Sequence, residues 1–428
     1  MLNKKTFTNN SKEFKNKLIY WIAKYPYVCY LDSNEYYNGS IYKNYELFVG
    51  ISSKANHFIE GHGGLNYLNK FLNCEWAFGF ICYDLKNELE HLSSDNIDKV
   101  EMPLVHFFHP ELLFEMKDRE VVIHYRNNYS EHDIDVVFNE INNTLPSANE
   151  NSKPLIQQRV SKDDYISTVK KIKQRIALGD IYEMNYCMEF FIEDFECNPY
   201  LMYVKLNAAS PMPFSCFYRM EDHYLMCASP ERFLMKKGNK IISQPIKGTF
   251  RRDLLNQGHD KILKQQLFND PKEKVENVMI VDLVRNDLSR TADKGTVKVE
   301  ELYGIYSFPQ VHQMISTITS NAKEDIDFVE LIKTTFPMGS MTGAPKIGAM
   351  QLIEDYEKTK RGLYSGSVGY ITPDGDFDFN VVIRSILYNA RNKYLSFMVG
   401  SAITFDSIPE KEYEECLLKA KAIMGILS

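Results

Sequence analysis

Tight-turn signals that cut the apolar stretches of this chain into short segments constrain its fold more than any other feature. Pro373-Asp374-Gly375 precedes an apolar run through Asn380–Tyr388, and Asn392-Lys393 precedes another at Tyr394–Phe405. Proline presets φ for a turn, and glycine or asparagine tolerates positive φ, so such clusters reverse the chain and pair its flanks antiparallel. Tyr27–Leu31, Ala77–Tyr83, Ile181–Ile192 and Tyr224–Ala228 read as further strands. Helical spacing intervenes: Tyr165, Val169, Ile172 and Ile176 follow a Ser161–Asp164 capping box and stop at Gly179. Strands joined by turns and interrupted by helices predict an α+β fold with large antiparallel sheets flanked by helices, not a doubly wound parallel sheet. Asn139–Gln158, rich in Asn, Ser, Pro and Glu, reads as a linker. It divides an N-terminal region (1–150) packing on the core from a larger domain (151–428) that carries the candidate chemistry.

With 428 residues, 44% of them hydrophobic, the chain has material for a large core in two lobes. A net charge of −7 argues against nucleic-acid binding, which calls for a basic patch. The start, Met1-Leu2-Asn3-Lys4-Lys5-Thr6, lacks the apolar stretch of a signal peptide, and no run of about eighteen apolar residues offers a membrane span. Eight scattered cysteines without a C-x-x-C pair suit reduced thiols and a cytoplasmic protein. None sits in a G-x-C-x-G elbow, so no glutaminase nucleophile is expected in this chain.

Several side chains point to chemistry. Lys247, between Gln244-Pro245-Ile246 and Gly248-Thr249, is flanked by a stiff step and a small one that would hold it near backbone. Desolvation lowers a lysine pKa, and only the neutral amine is a nucleophile; taken alone, a solvated lysine is the commoner case. Glu231, in Ser229-Pro230-Glu231-Arg232-Phe233, could supply a proton to a leaving hydroxyl. Asp270-Pro271 starts a helix that places Glu273 and Glu276 on one face, although a capping-box role alone accounts for Glu273. A last helix from Pro409 carries an apolar stripe of Tyr413, Leu417, Ala420, Met424 and Leu427, with Glu412, Glu415 and Lys419 on another face. A solvated Glu–Lys surface has the same spacing. Together the two acidic pairs suit Mg²⁺ and not zinc, for which no His or Cys ligand set exists.

Gly339-Ser340-Met341-Thr342-Gly343-Ala344-Pro345-Lys346 feeds a helix and would present free N–H groups to an anion; a plain turn-and-cap reading is equally open. Arg384 lies among Val381, Val382, Ile383 and Ile386, so its guanidinium should be buried and need an anion, most simply a bidentate carboxylate. Gly400-Ser401-Ala402 within a strand implies close approach by another group, and Tyr364 either offers its hydroxyl or packs.

The blocks Ser229–Phe233, Gln244–Thr249, Val275–Asp287, Gly339–Lys346, Gly362–Tyr370, Val381–Ser385 and Glu412–Lys419, in this order, resemble the chorismate-utilising enzymes. The chain is most similar to their aminodeoxychorismate synthase component I branch, as is Gly79–Glu90. The resemblance implies two intertwined lobes of the anthranilate synthase component I type. It implies Mg²⁺ held by Glu276 and Glu415, and through water by Glu273 and Glu412. Arg384, Tyr364, Lys419, Thr249, Thr342 and the backbone of Gly400, Ser401 and Ala402 would bind chorismate. Glu231 would be the general acid at C4 and Lys247 the nucleophile at C2, with ammonia from a separate glutamine amidotransferase subunit then entering at C4.

Anthranilate synthases resemble this chain but carry alanine at the position of Lys247, which disfavours that alternative. A non-catalytic chorismate-binding subunit would need neither the acid nor the amine. In Gly179-Asp180-Ile181-Tyr182-Glu183, the place of a water-activating lysine in isochorismate-forming relatives is taken by Glu183. Relatives place histidine where Gln313 stands, which leaves His312 without an assigned role. Leu31-Asp32-Ser33 loosely resembles the family's tryptophan-binding element.

Overall fold

The computed structural model describes residues 2–9, 11, 13–36, 45–54, 57–60, 65–146 and 154–427. Two antiparallel sheets pack against each other at its centre. In the twelve-stranded sheet, Tyr27–Asp32 pairs with Phe214–Met220, and the order continues through His223–Ser229, Ser385–Asn389 and Tyr394–Ile403 to Glu183–Ile192. In the ten-stranded sheet, Ala77–Ile81 pairs with Ser367–Ile371, and the order continues through Phe377–Asn380, Arg232–Lys237, Lys240–Gln244 and Val311–Asn321 to Ile246–Arg251. Both sheets take strands from either side of residue 150, which is what intertwines the lobes.

Along Tyr27–Asp32, Cys29 and Leu31 enter the core between the sheets while Val28 and Tyr30 enter the core on the opposite face. This is the two-residue period of a strand buried on both faces. The helices Lys162–Ala177 and Pro409–Leu427 cover the twelve-stranded sheet with Tyr165, Val169, Cys416 and Ala420. Pro271–Ser289 and Phe328–Thr335 add Ile280, Val284, Val329 and Ile332 to the other core. The predicted caps form: Ser161 Oγ accepts from the Asp164 N–H, and Asp270 accepts from the N–H groups of Lys272 and Glu273.

Three expectations need correction. The first part of Asn139–Gln158 is the end of a helix, Glu131–Asn143, started by a Ser130–Asp133 capping box. Residues 147–153 lie outside the described residues, and Gln157–Gln158 pair with Phe190 and Phe191. The final helix buries Tyr413, Cys416, Ala420, Ile423 and Leu427, so its buried stripe runs beside the predicted Leu417 and Met424, which are partly buried. Most consequential, Asn380–Tyr388 is not one strand. The chain leaves the ten-stranded sheet at Asn380 and enters the twelve-stranded sheet at Ser385, with Arg384 at φ 51°.

No helix among the described residues is long and apolar enough to cross a membrane. None of the eight cysteines is in a disulfide, and six are buried. Asp32 pairs with Lys15 at 2.9 Å, and the Ser33 hydroxyl donates to the Tyr45 and Glu46 carbonyls, so both polar side chains of the Leu31–Ser33 stretch have structural partners.

A buried ion pair ties the segment after the helix Lys346–Tyr356 to the strand Glu183–Ile192. Arg361 donates to both carboxylate oxygens of Glu357 (2.6 and 2.9 Å), to the Met341 carbonyl (2.6 Å) and to the Asn185 carbonyl (2.9 Å). Its guanidinium lies 4.5 Å from the Tyr83 ring centroid. Arg361→Met would strand the Glu357 carboxylate in the core, so we expect a loss of about 3–5 kcal/mol in urea unfolding. Adding Glu357→Met should recover part of it.

Candidate active site

The chain crosses between the sheets at two neighbouring places, and each crossing carries a charged residue. At Ser229-Pro230-Glu231 it passes from the strand His223–Ser229 to Arg232–Lys237. At Val381–Arg384 it passes back, and the two crossings bond: Val381 N–H donates to the Glu231 carbonyl and Ala228 N–H to the Arg384 carbonyl. A non-glycine residue at positive φ is an uncommon backbone state that persists where surrounding structure enforces it. Here it turns Arg384 toward Glu231.

Lys247 reaches the same region through a bulge. Ile246 pairs with Ile315 and Thr249 with Gln313, so three steps on one strand face two on the other. The extra residue re-aims the side chain, and Gly248 at φ 90° makes the bend. A Cβ on Gly248 would stand 3.0 Å from Glu273 Oε2, so the bulge also brings the acidic helix close.

Lys247 is 9% exposed, as expected, but it is not the neutral amine anticipated from burial alone. Its Nζ lies 2.5 Å from Oε1 of Glu183, itself 1% exposed. Burial works to lower the lysine pKa; the charges of Glu183, Glu276 and Glu231 outweigh it and hold the pKa above its ordinary value. Glu183 was read from sequence only as the loss of a lysine, and no local signal pairs it with a residue sixty-four positions away.

Glu231 is 3% exposed. Burial pushes its carboxyl pKa up to about 7, opposed by the Ser340 hydroxyl, which donates to Oε1 at 2.6 Å, and by the charges of Lys247 and Arg384. Arg384 does not have the bidentate carboxylate expected of it. Its Nη1 lies 3.8 Å from Met212 Sδ, and no carboxylate stands within ion-pair distance among the described residues. Burial lowers its pKa to about 10. A half-desolvated guanidinium without an anion is a receptor for one.

The two acidic pairs converge. Lys272, which sequence reading passed over, places Nζ 3.7 Å from Glu276 Oε1 and 3.9 Å from Glu412 Oε1, and its pKa is raised by Glu276, Glu412, Glu273 and Glu415 together. Glu276 Oε1 is buried without a hydrogen-bond partner, and burial raises this carboxyl to about 7. Burial also raises Glu273, whereas Glu415, whose side chain is 44% exposed, is lowered because Lys419 at 2.7 Å outweighs its partial desolvation. Among the described residues no three such side chains form a ready-made metal cage. Oxygen donors on two facing helices, one of them orphaned, still fit a hard cation that completes its shell with water and substrate oxygens.

The remaining predicted residues have protein partners of their own. Lys419 donates to the Gly400 carbonyl at 2.8 Å, and the Ser401 hydroxyl donates to Glu412. The close approach inferred at Gly400 comes from the protein itself, since a Cβ there would meet Cys187 Sγ and Asn185 Oδ1. The Ala402 carbonyl accepts weakly from Ser407 at 3.4 Å. Tyr364 is buried with its hydroxyl 4.0 Å from Cys187 Sγ. The Thr342 hydroxyl donates to the Met338 carbonyl, and Gly343, at φ 157°, lies so close to the Glu183 carbonyl that a Cβ would clash. Thr249 accepts from Gln313 at 3.4 Å. His312 points elsewhere, 3.0 Å from Asp260 and 2.9 Å from the Ser307 hydroxyl.

Comparison with known proteins agrees with this constellation. The chain is 32% identical over 393 residues to aminodeoxychorismate synthase component 1 of Bacillus subtilis, covering 89% of this chain and 80% of that one. It is 37% identical over 264 residues to anthranilate synthase component 1 of Aquifex aeolicus, covering 62% of this chain and 53% of that one. Its fold matches the crystal structure of anthranilate synthase component I from Streptococcus pneumoniae at a TM-score of 0.76 and 23% identity, over 98% of this chain and 92% of that one. The model of the chorismate binding enzyme family matches residues 7–425, so the chain belongs to that family.

Proposed function

We propose that this chain is the chorismate-aminating component of an aminodeoxychorismate synthase. It replaces the C4 hydroxyl of chorismate by an amino group and leaves the enolpyruvyl group in place. The observation that carries the reading is a buried lysine and a buried, readily protonated carboxyl that feel each other's charge in one site. The lysine forms a bond to ring C2, the ring double bonds shift, and the C4–O bond breaks as Glu231 supplies the proton that makes the leaving group water. Ammonia then bonds to C4, the double bonds shift back, and C2 releases the lysine amine. The new ammonium returns a proton to Glu231, so the sum is hydroxyl plus ammonia giving amine plus water. Retention of the enolpyruvyl ether distinguishes the product from anthranilate.

Arg384 binds a substrate carboxylate with the guanidinium that no protein anion holds. Thr342, Tyr364, Lys419, Thr249 and the Gly400–Ala402 backbone shape the remaining pocket walls. Glu276 and Glu415 would hold Mg²⁺ directly, with Glu273 and Glu412 through water; the ion would supply charge withdrawal through the ring carboxylate. Ammonia comes from a separate glutamine amidotransferase subunit, and the product serves para-aminobenzoate and folate synthesis in the cytoplasm.

Purified chain incubated with chorismate, Mg²⁺ and an ammonium salt should give aminodeoxychorismate without pyruvate. Anthranilate plus pyruvate would establish the second reading, which the Aquifex relative favours; unchanged chorismate would leave a binding subunit. Lys247→Ala should lower kcat by a factor on the order of 10³ while chorismate binding, measured by calorimetry, changes little.

Two further outcomes follow. The acid form of Glu231 is present below its pKa of about 7 and disappears above it, so kcat/KM should descend as pH rises through that region. Glu231→Gln should remove this descending limb and lower the rate by about 10²–10⁴-fold. Glu276→Gln should weaken Mg²⁺ binding to the chorismate-free protein by about tenfold or more in calorimetry, a readout independent of turnover.

A further inference from the structure

The Glu183–Lys247 pair is the most completely desolvated charge pair of the site, and the proposed reaction leaves the carboxylate unused. Glu183 begins the strand Glu183–Ile192, where its backbone pairs with Ala344 while Met184 pairs with Gly343, and the neighbouring Tyr182 N–H donates to the Ala344 carbonyl. The side chain is therefore fixed on rigid backbone from below. One carboxylate oxygen holds Lys247 Nζ at 2.5 Å; the other, Oε2, is buried with no hydrogen-bond partner. Among the described residues Glu183 is the one carboxylate within 4 Å of that ammonium. Glu276 and Glu231 act on it from farther away, one from the acidic helix and one from the sheet crossing. Buried polar atoms are nearly always satisfied, so an orphaned oxygen beside a reacting nitrogen calls for a role.

We propose that Glu183 is the proton partner of Lys247, holding it as an ammonium in the empty site and taking one proton from it to release the nucleophilic amine. This deepens the amination reading and rests on it for its catalytic part. The step balances within the pair. A proton moves from Nζ to the Glu183 carboxylate, giving a neutral amine and a neutral acid, and the amine forms its bond to C2. When ammonia displaces it, the lysine leaves as a neutral amine and Glu183 returns the proton. No proton need reach bulk water, and Lys247 stays chemically silent until substrate fills the site. The pair also explains how a lysine with a raised pKa can serve as a nucleophile near neutral pH.

Cyanate, a small electrophile that carbamylates only neutral amines, tests the resting pair without chorismate or metal. Peptide mass mapping should find Lys247 of the wild type almost unreacted at pH 8, and in Glu183→Gln at least about tenfold faster, the effect of a pKa lowered by one unit or more. Rapid carbamylation of the wild-type lysine at neutral pH, or equal rates in the two proteins, overturns the proposal. The catalytic arm uses the same variant, which keeps shape and an acceptor oxygen but cannot take a proton. Its kcat for amination should fall by about 10²-fold with chorismate KM nearly unchanged, and a rate limb rising with pH should appear as solvent becomes the proton acceptor. Glu183→Asp should restore part of the rate and remove that limb. A Glu183→Gln enzyme with wild-type or higher kcat and an unchanged pH profile overturns the proposal. If the wild type does not aminate chorismate, the functional reading fails, while the cyanate result still decides whether the pair exists. Should Glu183→Gln not fold, the wild-type cyanate measurement decides alone.

Discussion

Charge held away from water is the constraint around which the centre of this protein is arranged. Lys247, Glu183, Glu231 and Glu276 are all buried, and each would be costly to ionise in an apolar interior without a partner nearby. Partnering is uneven. Lys247 has a carboxylate in contact, Glu231 has the Ser340 hydroxyl and the Ile246 N–H, Glu276 has an oxygen with no hydrogen bond, and Arg384 has no anion. A purely structural network of this size would close its bonds, as Arg361 does with Glu357 and two backbone carbonyls. The contrast between a closed network and an open one separates scaffold from site within the same pair of sheets.

Topology makes the open network possible. Glu231 and Arg384 stand where the chain changes sheets, between the regular strands of either ladder. Lys247 stands on a bulge, a third interruption of regular pairing. The seam is walled by the Gly339–Thr342 loop, whose carbonyls Arg361 and the Thr342 hydroxyl tie down. Sites built on rigid elements hold their geometry better than sites on free loops. In this chain the rigidity comes from the sheets and the reactive groups from their irregularities.

That division also explains what was legible in the sequence. Tyr27–Leu31 and Tyr224–Ala228 lie on strands, the predicted Ala77–Tyr83 is a strand as far as Ile81, and the caps at Ser161 and Asp270 form, because these signals are local. The break at Arg384 was invisible: apart from Arg384 and Ser385 the stretch Val381–Ile386 is apolar, and only two sheets competing for it divide it. The protonation of Lys247 was misjudged for a similar reason. Composition predicts burial, and burial lowers a lysine pKa, but the sign reverses when a distant strand supplies Glu183. Lys272 escaped notice because an exposed-looking lysine in a first turn carries no mark of its position between two helices. Glu231, Arg384 and the four glutamates stood out singly by their local chemistry, and the resemblance grouped them into one site, a grouping no periodicity argument could supply.

The charge count of the assembled site bears on the order in which it fills. Glu183, Glu231, Glu273, Glu276, Glu412 and Glu415 face Lys247, Lys272, Lys419 and Arg384, so six carboxylates oppose four cations. With every group ionised the site holds a formal excess of two negative charges. Glu231 and Glu276, the two carboxyls raised to about 7, are where that excess is relieved by protonation. A dianionic substrate entering alone would deepen the excess and press both carboxyls further toward the acid form. Under the proposed function, a divalent cation entering with it would leave the sum unchanged, and the acidic helices that carry Glu276 would hold its charge. Under that arrangement the metal would ionise Glu276, while Glu231, beside the incoming ring, would keep its proton for the leaving hydroxyl. Two carboxyls that burial raises in the same direction would thus divide into a ligand and an acid once the site is full, the division set by which charge each one faces.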